Sequence, residues 1–117
     1  MIPGSLEAAL DRITRVRGVR GALLVSTDDG LVVAETLMEG IRGNAVAALA
    51  ASLATRLGRA MAEAGTGEPR FVHLAAGRGK LLFMPAPDRL LVVALTDHLA
   101  NVGLTRLEMQ QAIEGLG

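Results

Sequence analysis

NAVAALAASLATRLGRAMAEA, residues Asn44–Ala64, reads as one long helix, and its two faces decide what the rest of the chain must supply. Val46, Leu49, Ala50, Leu53, Leu57 and Met61 recur at the i, i+3, i+4, i+7 spacing of a core-facing stripe. The neighbouring face carries Ala47, Ala51, Ala54, Thr55, Gly58 and Ala62, where a solvated face would carry Lys, Glu and Gln. Small side chains let another backbone come close, so this face is expected to point away from the core and to dock a partner. The plainer alternative is that alanine is the best helix former, or that small residues fit beneath an overlying loop. Asn44 is the expected cap, Gly65-Thr66-Gly67 ends the helix, and Pro69 prevents its continuation.

Upstream, VRGALLVS (Val19–Ser26) and LVVAET (Leu31–Thr36) flank Thr27-Asp28-Asp29-Gly30. Asp-Gly between two apolar, β-branched runs is a strong hairpin signal. Before them, Leu6, Ala9, Leu10, Ile13 and Val16 make the stripe of a helix over about residues 5–17, with Ser5 as N-cap and Gly18 at its end. Downstream come three strand candidates: RFVHLAA (Arg70–Ala76), KLLFMPA (Lys80–Ala86) and RLLVVALT (Arg89–Thr96). Gly77-Arg78-Gly79 and Pro87-Asp88 link them. A last helix begins near Asn101, with Val102, Met109, Ala112, Ile113 and Leu116 on its apolar face.

The order is therefore α-β-β-α-β-β-β-α. Short links force antiparallel pairing, which predicts an α+β fold: a five-stranded antiparallel sheet covered by helices on both faces. Leu90–Leu95 is apolar on both sides, as a central strand would be, whereas Arg70–Ala76 carries Arg70 and His73 and is placed at an edge. One domain is expected over residues 1–117, which is long enough to bury a core.

Composition narrows the function classes. Lys plus Arg and Asp plus Glu both number 12, so formal net charge is zero; with no basic run, no Trp and no Tyr, a nucleic-acid partner is not expected. Without cysteine there is no disulfide, thiolate metal site or cysteine nucleophile. The start MIPGSLEAALDR has neither the basic nor the apolar region of a secretory signal, and Arg56, Arg59 and Glu63 interrupt the long helix. A cytoplasmic protein without membrane insertion is expected.

A catalytic constellation is missing from the sequence. Asp28 and Asp29 lack the further ligands and closing Glu of a calcium loop and read as turn residues. His73 lies mid-strand among apolar neighbours; His98 follows Asp97, but neighbours in an extended segment point to opposite sides. Gly79-Lys80 is followed by Leu81 and is not a phosphate loop. Neither a cofactor nor a metal is expected, and the protein is read as a non-enzyme.

Five pieces of the chain, in this order and spacing, resemble the Roadblock/dynein light chain family. They are VRGVRGALLVS (Val16–Ser26), DGLVVA (Asp29–Ala34), the Ala-rich helix, DRLLVVAL (Asp88–Leu95) and LANVGLTRL (Leu99–Leu107). The likeness covers nearly the whole chain. It implies the long helix on one sheet face, the terminal helices on the other, and a homodimer made by the long helix and the following strand. Carried onto this sequence, the implied interface comprises Ala47, Ala51, Ala54, Thr55, Gly58 and Ala62 with Arg70, Phe71, Val72, His73 and Leu74. Family members regulate or scaffold small Ras-like GTPases, and others are motor-complex light chains; in bacteria the usual setting is a GTPase of the gliding or polarity type. The resemblance thus implies a non-catalytic dimer that binds a small Ras-like GTPase. The alternative is a small-ligand sensor of profilin-like architecture, for which only Arg70 and His73 offer polar pocket groups.

Overall fold

The computed structural model describes residues 3–116, with side chains from residue 6 onward. Eight elements follow in the expected order: α1 (Pro3–Thr14), β1 (Val19–Ser26), β2 (Val32–Leu37), α2 (Gly43–Glu63), β3 (Val72–Ala75), β4 (Gly79–Ala86), β5 (Leu90–Asp97) and α3 (Val102–Leu116). The strands form one sheet in the order β2-β1-β5-β4-β3, every pairing antiparallel. β5 is central and β3 is an edge, as the apolar pattern and Arg70 and His73 indicated.

The period of two in a strand sends alternate side chains to opposite faces, and here it builds two cores. Ala22 and Leu24 of β1, Leu82 and Met84 of β4, and Val92 and Ala94 of β5 face one way, beneath Leu10 and Ile13 of α1 and Met109 and Ala112 of α3. Leu23, Val25, Leu81, Phe83, Leu91 and Val93 face the other way, beneath Ala47, Ala50 and Ala51 of α2. At the sheet centre Val93 stands between Leu23 and Phe83 in register. α1 and α3 are joined through Arg12, which donates to Gln111 and pairs with Glu108 at 3.6 Å.

Local chemistry explains the ends of the elements. Gly18 turns the chain from α1 into β1 at φ 91°, with Asp97 and Ala100 packed where a side chain would stand. α1 starts at Pro3, so Ser5 falls inside the helix rather than at its cap; the Ser5 side chain lies outside the described residues. Asn101 caps α3 as expected, its Oδ1 accepting from the Leu104 amide at 2.9 Å. The cap of α2 departs from expectation by two residues: Arg42, not Asn44, occupies the cap position in extended conformation without a side-chain cap bond, and the helix begins at Gly43. A side chain at position 43 would collide with the Glu35 carboxylate of β2, so the acid itself sits at the positive end of the helix.

Candidate interaction surface around the second helix and third strand

α2 is rotated on the sheet relative to the sequence expectation: Val46, Ala50, Leu53 and Leu57 of the expected stripe do pack on the core, but the small-residue face is turned in beside them and Leu49 is turned out. Ala47 and Ala50 are fully buried and Ala51 nearly so, whereas Leu49, assigned to the core stripe, is 52% exposed. Ala47, Ala50, Ala51 and Ala54 are themselves spaced i, i+3, i+4, i+7, and they form the contact with the sheet. The reason is volume. Leu23, Leu81, Phe83 and Leu91 already fill this side of the sheet, so a helix can settle on them at native packing density only with methyl groups beneath it. Val46, Leu53 and Leu57 are half-buried along one flank of α2, and Leu49 stands clear beyond them.

The expected interface residues are therefore divided. Ala47 and Ala51 are spent on the sheet and cannot meet another chain; Ala54 is half-buried against the same cluster. Thr55 is exposed, its hydroxyl donating to the Ala51 carbonyl at 3.0 Å, Gly58 opens onto free space, and Ala62 is exposed. On β3, Val72 packs beneath α2 and Leu74, two residues on, is 41% exposed. Phe71 turns to the opposite core, where the Arg106 guanidinium lies 4.6 Å from its ring centre. Arg70 and His73 are exposed. Leu49 was missed as a surface residue. The signal for it was the perfect helical spacing of the alanines one position over.

Two open grooves flank α2. One, of about 440 Å³, runs between Leu49 and Leu53 of α2 and Leu74, Leu81 and Leu95 of the sheet, with Arg20, Arg78 and Lys80 at its rim. The other, of about 500 Å³, passes Ala54, Thr55 and Gly58 and is floored by Val72, Phe83 and Leu91, with Glu68 and Arg89 at its edge. Both abut β3, whose outer edge pairs with no strand among the described residues. An unpaired edge beside exposed leucines offers free backbone groups and apolar side chains on one surface. Polar groups do not converge in either groove as in a small-ligand pocket: Thr55 is bonded within its helix and Arg89 is paired with Asp28. Arg70 and His73 line neither groove.

Comparison with known proteins agrees with the fold. The model of a family described as the Roadblock/LC7 domain matches residues 6–96. The uncharacterised protein MJ1340 of Methanocaldococcus jannaschii is 32% identical over 109 residues, covering 93% of this chain and 94% of that protein. Among solved structures, MglB of Myxococcus xanthus superposes with a TM-score of 0.87 at 21% identity, over 97% of this chain and 85% of that one. An MglB with tetrameric arrangement superposes with a TM-score of 0.84 at 24% identity, over 99% and 90%. No helix among the described residues is long and apolar enough to cross a membrane.

Proposed function

This chain belongs to the Roadblock/LC7 domain family, and on that premise we propose that it is a non-catalytic homodimer that binds a small Ras-like GTPase and modulates its nucleotide cycle or localisation. Residues 1–117 act as one Roadblock-like unit in the cytoplasm. The observation that carries the reading is the exposed pair Leu49 and Leu74 beside the open edge of β3. A two-fold axis along that edge lets the same patch cover itself: β3 meets its copy strand to strand, and the Leu49–Leu53 flank of one α2 closes over the groove of the other. The joined helices then present Thr55, Gly58 and Ala62 on a low, flat platform.

Binding without turnover is enough for such a role. A surface that holds one conformation of a GTPase switch loop shifts the nucleotide cycle by its differential affinity for that conformation. It need not supply a catalytic side chain. An MglB with tetrameric arrangement among the structural neighbours is in keeping with an assembling surface.

The test is a sedimentation and binding experiment with the Ras-like GTPase encoded nearest to this protein, loaded in turn with GDP and a non-hydrolysable GTP analogue. The wild type should sediment as a dimer and bind one nucleotide form in preference. Leu74→Arg should give a folded monomer that no longer binds. Unchanged dimerisation and unchanged GTPase binding in that variant would overturn the proposal.

A further inference from the structure

The face opposite α2 carries a second uncovered surface. Leu99, in the turn before α3, is 79% exposed, and Leu104 in the first turns of α3 is 45% exposed. Both border a hollow of about 370 Å³ whose inner wall is Val16 and Arg17 at the end of α1. A second hollow continues from it past Arg12 and Arg15, sharing Val16, Arg17 and Leu104, so the two form one groove between the end of α1 and the start of α3.

Its charge leans positive: Arg12, Arg15 and Arg17 line it against Asp97 and Glu108. Glu108 pairs with Arg12, and Asp97, whose Oδ1 accepts from the Leu99 amide at 2.9 Å, is the one lining carboxylate outside an ion pair among the described residues. Arg15 and Arg17 are exposed and enter no ion pair among the described residues. We propose that this groove docks an acidic amphipathic helix of a partner protein. Its apolar stripe would rest on Val16, Leu99 and Leu104, and its flanking carboxylates would meet Arg15 and Arg17.

The elements set the shape of the occupant. α1 and α3 already form a helical layer over this face of the sheet, and a further helix beside their junction extends it, anchoring at i, i+3 and i+4. A second copy related by a two-fold axis would instead set Arg15 and Arg17 against themselves, a like-charge contact that works against assembly. The groove lies on the other side of the sheet from the Leu49–Leu74 surface, so the two sites are independent and each can be lost without the other.

The experiment is an amide-shift titration of the isotopically labelled full chain. One probe is a synthetic helical peptide with leucines at i, i+3, i+4 and i+7 and glutamates on both flanks; the other has lysines on the flanks. Shifts from the glutamate peptide should centre on Arg15–Gly18 and Leu99–Leu104. Its affinity should fall about tenfold or more in Arg15→Glu/Arg17→Glu and in Leu99→Ser, and should weaken as salt rises. Those positions are exposed, so the variants keep the fold, which the untouched amides report directly. Equal binding of the lysine peptide, no shifts in the groove, or an unaltered affinity in both variants would overturn the proposal. Flotation with phosphatidylcholine–phosphatidylserine vesicles that is lost in the arginine variant, without peptide binding, would assign the groove to a membrane surface instead. Assembly beyond the dimer that is lost in Leu99→Ser would assign it to a second copy.

Discussion

Leu49 on α2 and Leu74 on β3 border one groove, 52% and 41% exposed, although Leu74 shares its strand face with Val72, which packs against the core beneath α2. Both leucines are about half exposed, so covering them is worth roughly half of the ~1.5–3 kcal/mol of a full leucine burial, about 1 kcal/mol each. A second copy of the chain seated on this groove would recover it.

If that copy is present in solution, folding and association are coupled, and the thermal midpoint depends on protein concentration. For a chain of this size the midpoint of the wild type should rise by about 2–4 °C for each tenfold increase in concentration. In Leu49→Ser it should be independent of concentration and equal to the wild-type value extrapolated to high dilution. Differential scanning calorimetry over a dilution series reads both; a concentration-independent wild type would remove the dimer.

The burial of Ala47 makes a second prediction, on the orientation of α2. Its side chain is fully enclosed above the sheet, so Ala47→Leu must push the helix off Leu23 and Phe83 or force strained rotamers. That costs about 1–3 kcal/mol. Ala45→Leu, on the exposed side of the same turn, should change stability by less than about 0.5 kcal/mol. Urea midpoints decide the matter, because a helix with its small face outward would tolerate both substitutions alike.

Most of the architecture was legible because it rests on local signals. Asp29-Gly30, Gly77-Arg78-Gly79 and Pro87-Asp88 mark the turns between strands, and the double-sided apolarity of Leu90–Leu95 marks the centre of the sheet. Even Gly18 announces its turn. The rotation of α2 was not legible. Two stripes of equal period share this helix, one of leucines and one of alanines, and hydrophobicity alone ranks the leucines as core. What decides between them is the volume already present on the sheet, from Leu23, Leu81, Phe83 and Leu91, and that sum exists only once the strands are paired. The candidate surface inherits the same difficulty. Leu74, Thr55 and Gly58 line the grooves, but Ala47 and Ala51 are beneath the helix and Phe71 is on the far face.

Gly58 separates stability from recognition. It lies in α2 with an ordinary helical backbone, and a methyl group there would meet nothing within 4 Å. Gly58→Ala should therefore stabilise the protein by about 0.5–1 kcal/mol through helix propensity. Gly58→Arg should be about neutral to mildly stabilising in the fold while blocking the groove past Ala54 and Thr55. Loss of GTPase binding in Gly58→Arg, with binding kept in Gly58→Ala, would place the partner over this part of the helix. Equal binding in both would leave that groove unused.

Two glycines of a single hairpin turn give the sharpest contrast. Gly77 and Gly79 link β3 to β4, and the Ala76 amide donates to the Gly79 carbonyl at 2.8 Å to close the turn. Neither glycine has a positive φ, so the left-handed region is not at issue. Their surroundings differ instead. A side chain on Gly77 would point into open space, whereas one on Gly79 would strike the Thr96 carbonyl oxygen of β5, a backbone atom held in the pairing of Gly79 with Asp97 and Lys80 with Thr96. Backbone cannot swing aside as the end of a lysine would. Gly79→Ala must therefore part β4 from β5 at the end where Leu81 and Leu95 wall the Leu49–Leu74 groove. It should cost about 2 kcal/mol or more, the range of strongly strained insertions, and should weaken self-association along with the fold. Gly77→Ala should lie within about 0.5 kcal/mol of the wild type, or gain slightly by restricting the unfolded chain. Chemical denaturation of the two variants at one protein concentration measures the difference. Equal stabilities would mean that the close approach of β4 to β5 at this end of the sheet does not exist.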